Sequence, residues 1–474
     1  MRTNYDFDTV VIGSWPGWLT VAIGLWVLWK KVCMVEKAHI WGDCTNYGCV
    51  PSKALLHYAK THEGESISLV QAMNYAREQR QDIRDEETPE ILWEYGVETR
   101  FGFGSLVNKH TVRITKDSWE TETITTKRIV ICTWAKANTI EIPWVKKENI
   151  LTNEELFEID YEIKDLVIIG DGVIACEMAE AFSDLGIKVT IVSKHKEILD
   201  CYDLEIGTWM RNYLTKKWVT VLLNSNPIKA DSAWRLIVSD GEKEHSIWYD
   251  KVLLAIGKVP LMNNMWLEEV GVNTEKSWII TNRYGNTSIK NIWSIGDCVA
   301  NNPRMTHRSN HQWRHLVQNM IAWFNFANPS QKKHPLPGVI YTDYEVATVW
   351  LQEKDALKKH KRDNLVIRTH HFAKNDRSKV SESGEGFMKI IAKRGTLRIL
   401  WVSIITKNAW EMLPLYTYAV KKWLTIWSLS SLIFAYPTRV EIVKLLIDDY
   451  LHDLSKNRKE EISWVFRRVF LFWR

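Results

Sequence analysis

Two cysteines carry the strongest chemical signal in the chain. Cys44 and Cys49 are separated by four residues in the stretch WGDCTNYGCVPSK, residues 41–53. Two thiols this close can cycle between dithiol and disulfide. A helix starting here places Cys44 near its N-terminal end, where the dipole favours thiolate. Two inert buried cysteines are the alternative. The flanking Gly48, Pro51 and Lys53, lying between two nucleotide-binding starts, argue against it.

A redox pair needs an electron source, and the neighbouring segments supply one. DTVVIGSWPGW is an apolar strand, a glycine turn and a helix start, with KKVCMVEK following as a second strand. DLVIIGDGVIACEMAEAFSDLG, followed by KVTIVSK, repeats that order. Each is a βαβ start, so two dinucleotide-binding domains are expected, the second inserted into the first. KNIWSIGDCVA, RIVICTW and KVLLAIG read as further strands ending at turns. After Pro335 the texture changes to alternating strands in GVIYTDYEVATVWL, NLVIRTHHF and GFMKIIAKRGTLRILWVSII. Helices are expected at EMLPLYTYAVKKW and RVEIVKLLIDDYLHDL.

The fold class read from this order is α/β: two Rossmann-like domains plus a C-terminal α+β domain. The expected boundaries are 1–150 and 263–335 for the first dinucleotide domain and 151–262 for the second. The third domain spans 336–453, and 454–474 is a basic tail, read as a terminal helix with membrane-surface contact as the alternative.

Composition sets the outer limits. At 474 residues the chain has room for about three domains. A net charge of +5 is too weak to argue for nucleic acid. Seven cysteines in this length make no disulfide scaffold. Val10–Trp29 is a run of 20 residues without charge. Its central Gly13-Ser14-Trp15-Pro16-Gly17 is turn chemistry, so it reads as strand, turn and helix rather than a membrane span. Asp6 and Asp8 precede it, unlike the basic start of a secretory signal, and a cytoplasmic location is expected.

The second glycine turn is Gly170-Asp171-Gly172 with Ala175 at the third position. Its following strand ends at Ser193, before Lys194, His195 and Lys196. An acid at 193 would favour NADH through the ribose 2′-hydroxyl. Serine beside three cation-forming residues suits a 2′-phosphate, so NADPH is expected, with NADH as the alternative. His307, His311 and His315 fall four apart on an expected helix. They are read as packing near the flavin, with no metal site assigned.

These motifs resemble the FAD-dependent pyridine nucleotide-disulfide oxidoreductases, from Tyr5 to about Asp449. Mercuric reductase-like and dihydrolipoamide dehydrogenase-like members are the most similar. GDCTNYGCVPSK resembles the redox-disulfide signature, Ile295-Gly296-Asp297 the second flavin motif, and YTDYEVATVWL the start of the dimerisation domain. The resemblance implies a homodimer that passes electrons from NAD(P)H through FAD and the disulfide to a small-molecule acceptor. It makes Cys49 the thiolate beside the flavin and Cys44 the interchange thiol. It assigns FAD contacts to Gly13, Glu36, Gly42, Lys53, Thr133 and Asp297, with Lys53 also paired to Glu177. It assigns NAD(P) contacts to Gly170, Gly172, Ser193, Lys194 and Gly257.

The chain departs from this pattern twice. Dithiol-using members carry a His-Pro pair with a Glu seven residues after the His. Glu441 matches, but the His position is Phe434, which transfers no proton. Mercuric reductases also have Phe there, with a nearby Tyr, so Tyr436 is the expected substrate contact or acid. Mercuric reductases also end in a second cysteine pair, whereas here no cysteine follows Cys298 and no metal-binding module precedes Tyr5. The acceptor is therefore left open among a disulfide, a metal and another small molecule. NAD(P)H oxidase or quinone diaphorase activity is the alternative.

The second departure is tryptophan. There are 25 Trp against 22 Gly. Trp15, Trp18, Trp41, Trp134 and Trp350 stand where the family pattern places glycine. So do Trp29, Trp144, Trp218, Trp266, Trp278, Trp401, Trp410 and Trp423. Some bacterial lineages read UGA as glycine, and another genetic code reads it as tryptophan. A gene of the first kind translated with the second table gives this pattern, and UGA codons are the expectation. Genuine indoles would instead point to a flavin-free remnant, since bare backbone must approach the pyrophosphate.

Overall fold

Residues alternate in and out of the first sheet with a period of two, and both of its faces are buried. Val11, Met34 and Val130 pack on one face with Val97, Trp313 and Leu316. Val10, Ile12, Cys33, Val35, Ile129 and Ile131 pack on the other with Leu106. The computed structural model describes residues 4–14, 24, 30–40, 42–65, 67–86, 88–322, 327, 335–349 and 352–457.

The first sheet is built from β1 (Phe7–Ile12), β2 (Val32–Glu36), β3 (Val97–Phe101), β4 (Phe103–Asn108), β5 (Thr111–Thr115) and β6 (Thr121–Ile131). Its order is β3-β2-β1-β6-β5-β4, with Ile292–Ser294 also paired to β6. The pairs β1–β2, β1–β6 and β2–β3 are parallel. Ile292–Ser294 joins β6 in parallel as well. Residues far along the chain thus return to the first sheet.

The intervening chain forms a five-stranded parallel sheet. Its order is Thr220–Leu222, Lys188–Val192, Asp165–Ile169, Lys251–Leu254 and Ile150–Leu151. Val167, Ile169, Val192, Val252 and Leu254 form its core. The chain thus completes this second sheet before Ile292–Ser294 returns to β6.

The described chain divides into two compact units, Met1–Lys196 with Leu214–Lys332, and Glu197–Tyr213 with Lys333–Arg474. In the second, a five-stranded antiparallel sheet runs Pro337–Ile340, Glu345–Val349, Arg398–Thr406, Phe387–Lys393, Leu365–His371. Helices Ala409–Lys421 and Ile442–Asn457 cover it, through Met412, Leu413, Tyr416, Leu446 and Ile447. The α/β class with a separate α+β part is as expected. Among the described residues no helix is long and apolar enough to cross a membrane. The strand half of Val10–Trp29 is β1. Most of its helix half and the tail residues 458–474 lie outside the described residues.

Among the described residues six tryptophans have positive φ: Trp119, Trp144, Trp218, Trp234, Trp266 and Trp423, between 56° and 67°. This is the left-handed region, where a β-carbon is strained and glycine is the ordinary residue. Two of the six close helices. After Leu204–Lys216, Val219 N donates to Leu214 O with Trp218 between them; after Ala409–Lys421, Leu424 N donates to Ala419 O across Trp423. Those are the glycine-closed helix ends of the Schellman type. Trp144, Trp218, Trp266 and Trp423 were among the suspect positions in the sequence. Trp119 and Trp234 were not. Trp134, Trp278, Trp401 and Trp410 do not have positive φ. Trp15, Trp18, Trp29, Trp41 and Trp350 lie outside the described residues.

Candidate functional site

The cysteine stretch forms two helices. α1 is Gly42–Tyr47 and α2 is Cys49–Thr61. Gly48 joins them, and a β-carbon there would lie 3.0 Å from Asp43 O, so a side chain would crowd that carbonyl. Cys44 therefore sits inside the short helix, and Cys49 is the first residue of the long one. Cys44 thus lies near the N-terminal end of the short helix, while the longer helix's positive end lies at Cys49.

Both cysteines are free thiols, Cys44 half-buried and Cys49 exposed. The hydrogen bond from Cys44 holds the Cys49 thiol down to about 6, with Lys53 adding positive charge. That same hydrogen bond, with burial, pushes the Cys44 thiol up. Thr306 Oγ1 lies 3.8 Å from Cys49 Sγ. Lys53 Nζ donates to Glu177 Oε2 at 2.6 Å, and Glu177 projects, buried, from helix Val173–Asp184.

A buried ion pair absent from the sequence reading lies beside this group. Asp43 Oδ2 pairs with Lys258 Nζ, and Asp43 Oδ1 accepts from Asn153 Nδ2 at 2.8 Å. The two charges are 215 residues apart in the chain. The signal available was positional: Asp43 precedes Cys44, and Lys258 follows Gly257.

At the first glycine turn, Gly13 and Ser14 are the described residues. Gly13 has φ +95°, and a β-carbon on it would stand 2.5 Å from Cys132 O. Glu36, at the end of β2, accepts from Ser14 N at 2.8 Å, Ser14 Oγ at 2.7 Å and Ala38 N at 3.0 Å. Burial pushes its carboxyl up, partly offset by these bonds. Gly42 has φ +57° at the start of α1. Thr133 Oγ1 reaches Met262 Sδ at 3.8 Å. Asp297 is buried, and burial raises its carboxyl to about 6. Its Oδ1 is buried and has no hydrogen-bond partner among the described residues. An orphaned acceptor here fits a cofactor rich in hydroxyl groups, so these residues fit FAD.

The second turn also fits its cofactor. Gly170 has φ +122°, with a β-carbon meeting Ala255 O at 2.3 Å. Nothing lies within 4 Å of a β-carbon on Gly172, which leaves bare backbone for a pyrophosphate. Gly257 has φ +94° and accepts from Asn138 N at 2.9 Å. Ser193 is buried and Lys194 exposed. Ser193 Oγ donates to Asp171 Oδ2, on which His195 Nδ1 also lies, at 2.6 Å.

Tyr436 and Glu441 belong to the other unit. Tyr436 is exposed, and its hydroxyl donates to Asp376 Oδ2 at 3.2 Å, which raises the phenol. Phe434 packs on that unit's core, with Lys444 Nζ 5.3 Å from its ring centre. His307, His311 and His315 lie on helix Thr306–Ile321, and His315 Nδ1 contacts His311 O at 2.9 Å. Among the described residues, Asp203, Glu205 and Glu353 are the one ligand-type group close enough to share an ion. Lys389 Nζ already lies among those three carboxylates.

Residues 7–313 match the pyridine nucleotide-disulphide oxidoreductase family, and residues 336–447 match its dimerisation domain. The chain belongs to the pyridine nucleotide-disulphide oxidoreductases. The family depends on FAD and NAD(P), and its dimerisation domain supports a homodimer. This oxidoreductase is 28% identical over 472 residues to a mercuric reductase of Bacillus cereus, covering 96% of this chain and 73% of that one. It is 28% identical to dihydrolipoyl dehydrogenase 3 of Pseudomonas putida, covering 93% and 97%. In fold it is similar to the Cu(II) complex of HOCl-induced flavoprotein disulfide reductase RclA from Escherichia coli. There the TM-score is 0.84 at 22% identity, over 94% of this chain and 99% of that chain.

Proposed function

We propose that this oxidoreductase is a homodimer that takes electrons from NAD(P)H and relays them through Cys44 and Cys49 to a small disulfide, metal or other acceptor. The observation that carries the reading is the placing of Cys44 and Cys49 as free thiols on either side of the Gly48 break, with the Lys53–Glu177 ion pair one turn along α2. Cys49 is held as thiolate near neutral pH beside Lys53, while Cys44 stays protonated. FAD, held through Gly13, Glu36, Gly42, Lys53, Thr133 and Asp297, supplies hydride acceptance at this group. Gly170, Gly172, Ser193, Lys194 and Gly257 bind the nicotinamide dinucleotide.

With a disulfide acceptor, Cys44 sulfur attacks one acceptor sulfur and expels the other as a thiol. Cys49 thiolate then attacks Cys44 sulfur, closing Cys44–Cys49 and releasing the second acceptor sulfur as a thiolate that takes its proton from solvent. Two electrons leave the cysteine pair and reduce one acceptor disulfide to two thiols. Cys44 must first lose its proton, and Phe434 offers no base. That substitution favours a second reading, NAD(P)H oxidase or quinone diaphorase activity that bypasses the thiols.

A panel of lipoamide, glutathione disulfide, coenzyme A disulfide, Hg(II) and a quinone, each with wild type and Cys49→Ser, separates the two. The relay predicts turnover with a disulfide or metal that falls at least about a hundredfold in Cys49→Ser. Turnover confined to oxygen or quinone and unchanged in Cys49→Ser overturns it.

A further inference from the structure

The end of strand Lys188–Val192 carries a serine where an acid would select NADH, with Lys194, His195 and Lys196 behind it. From sequence that combination suits a 2′-phosphate. The geometry gives it another meaning. The side chain of Asp171, from inside the glycine turn, crosses to this strand end. Its Oδ2 accepts from Ser193 Oγ and lies 2.6 Å from His195 Nδ1. His195 N in turn donates to Ser193 Oγ at 3.0 Å. The hydroxyl of Ser193 and the Nδ1 side of the His195 imidazole are thus already engaged by a carboxylate. Lys194 and Lys196 point their chains to an exposed surface. Both of these bonds fall on Oδ2 of the Asp171 carboxylate, not on Oδ1.

We infer that Asp171 replaces the missing strand-end acid and makes the second site selective for nicotinamide dinucleotides without a 2′-phosphate. Oδ1 is an acceptor for a ribose hydroxyl. A 2′-phosphate would bring two negative charges against this carboxylate and leave it repelled rather than bonded. Ser193 and His195 are positioning residues: their bonds to Oδ2 fix the carboxylate and leave Oδ1 for ligand. The inference rests on the reading of this turn as the pyridine-nucleotide site, and it reverses the NADPH preference expected from sequence.

The test uses adenosine fragments that carry no nicotinamide, so it reads binding alone. Calorimetric titration of the holoprotein with 5′-AMP and with 2′,5′-ADP gives the ratio of the two affinities. Wild type is expected to bind 5′-AMP about tenfold or more tighter. Asp171→Asn keeps the side-chain shape and removes the charge. It is expected to bring the two ligands within about threefold of each other. If that variant does not fold, Asp171→Ser removes the same charge with a smaller side chain. Tighter binding of 2′,5′-ADP by wild type, or a ratio unchanged in the neutral variants, overturns the inference while leaving the site's reading intact. Failure of both fragments to bind wild type overturns both.

Discussion

Cys49 differs from an ordinary cysteine because Cys44 hydrogen-bonds to it and Lys53 charges its surroundings. Alkylation follows the thiolate, so its pH profile reports this directly. In the reduced protein, Cys49 alkylation should rise through a midpoint near 6 and level off by neutral pH. Cys44 should stay slow throughout, since its thiol is pushed up. Lys53→Met removes a favourable charge and should move the Cys49 midpoint up by about one unit. A midpoint still near 6 in that variant would deny Lys53 its part. The tryptophans give a second residue-scale prediction. Trp119 and Trp218 are 86% and 89% exposed, so their indoles bury little and their left-handed backbone is strained. Trp119→Gly and Trp218→Gly should each stabilise the protein. The left-handed strain relieved is about 1–2 kcal/mol, less the extra chain entropy of glycine. Denaturant melts check this, and destabilisation by either change would count against glycine as the residue these positions require. The coding sequence gives the companion check: UGA at these codons is expected, and UGG contradicts it.

At the scale of elements, the strand and turn order was legible because it depends on local pattern. Period-two apolar residues gave β1, β2 and Asp165–Ile169, and Gly13 and Gly170 mark turns that admit no β-carbon. The strands and helices after Pro335 follow the same local rules. What stayed hidden depends on long-range approach. The break at Gly48, where a β-carbon would crowd Asp43 O, splits the stretch into two helices and gives Cys49 the start of the longer one. Lys258 meets Asp43 only because the chain after Gly257 folds back to α1. Asp171 reached Ser193 through a turn whose glycines, not its acid, drew notice. The Asp43–Lys258 pair gives an element-scale prediction. Lys258→Met leaves a buried carboxylate without its cation and should cost about 3–5 kcal/mol of stability. Loss below about 1 kcal/mol would mean that Asp43 is solvated or otherwise compensated.

For the whole molecule, the dimerisation domain and the exposed apolar residues of the second unit point the same way. Ile433 is 99% exposed, with Leu432 and Tyr436 also exposed nearby. Light scattering should give twice the mass of one chain. Ile433→Lys should weaken self-association at least about tenfold, because a charge enters an apolar contact. A wild-type monomer at micromolar concentration would contradict this. The central claim is that reducing equivalents from a nicotinamide dinucleotide reach Cys44 and Cys49. The most direct measurement adds NADH or NADPH to air-oxidised holoprotein without oxygen, alkylates it, and maps the labelled cysteines by mass spectrometry. The account predicts two newly labelled residues, Cys44 and Cys49, and no change at the other five cysteines. Unchanged labelling at Cys44 and Cys49 after the nucleotide has been oxidised would contradict it.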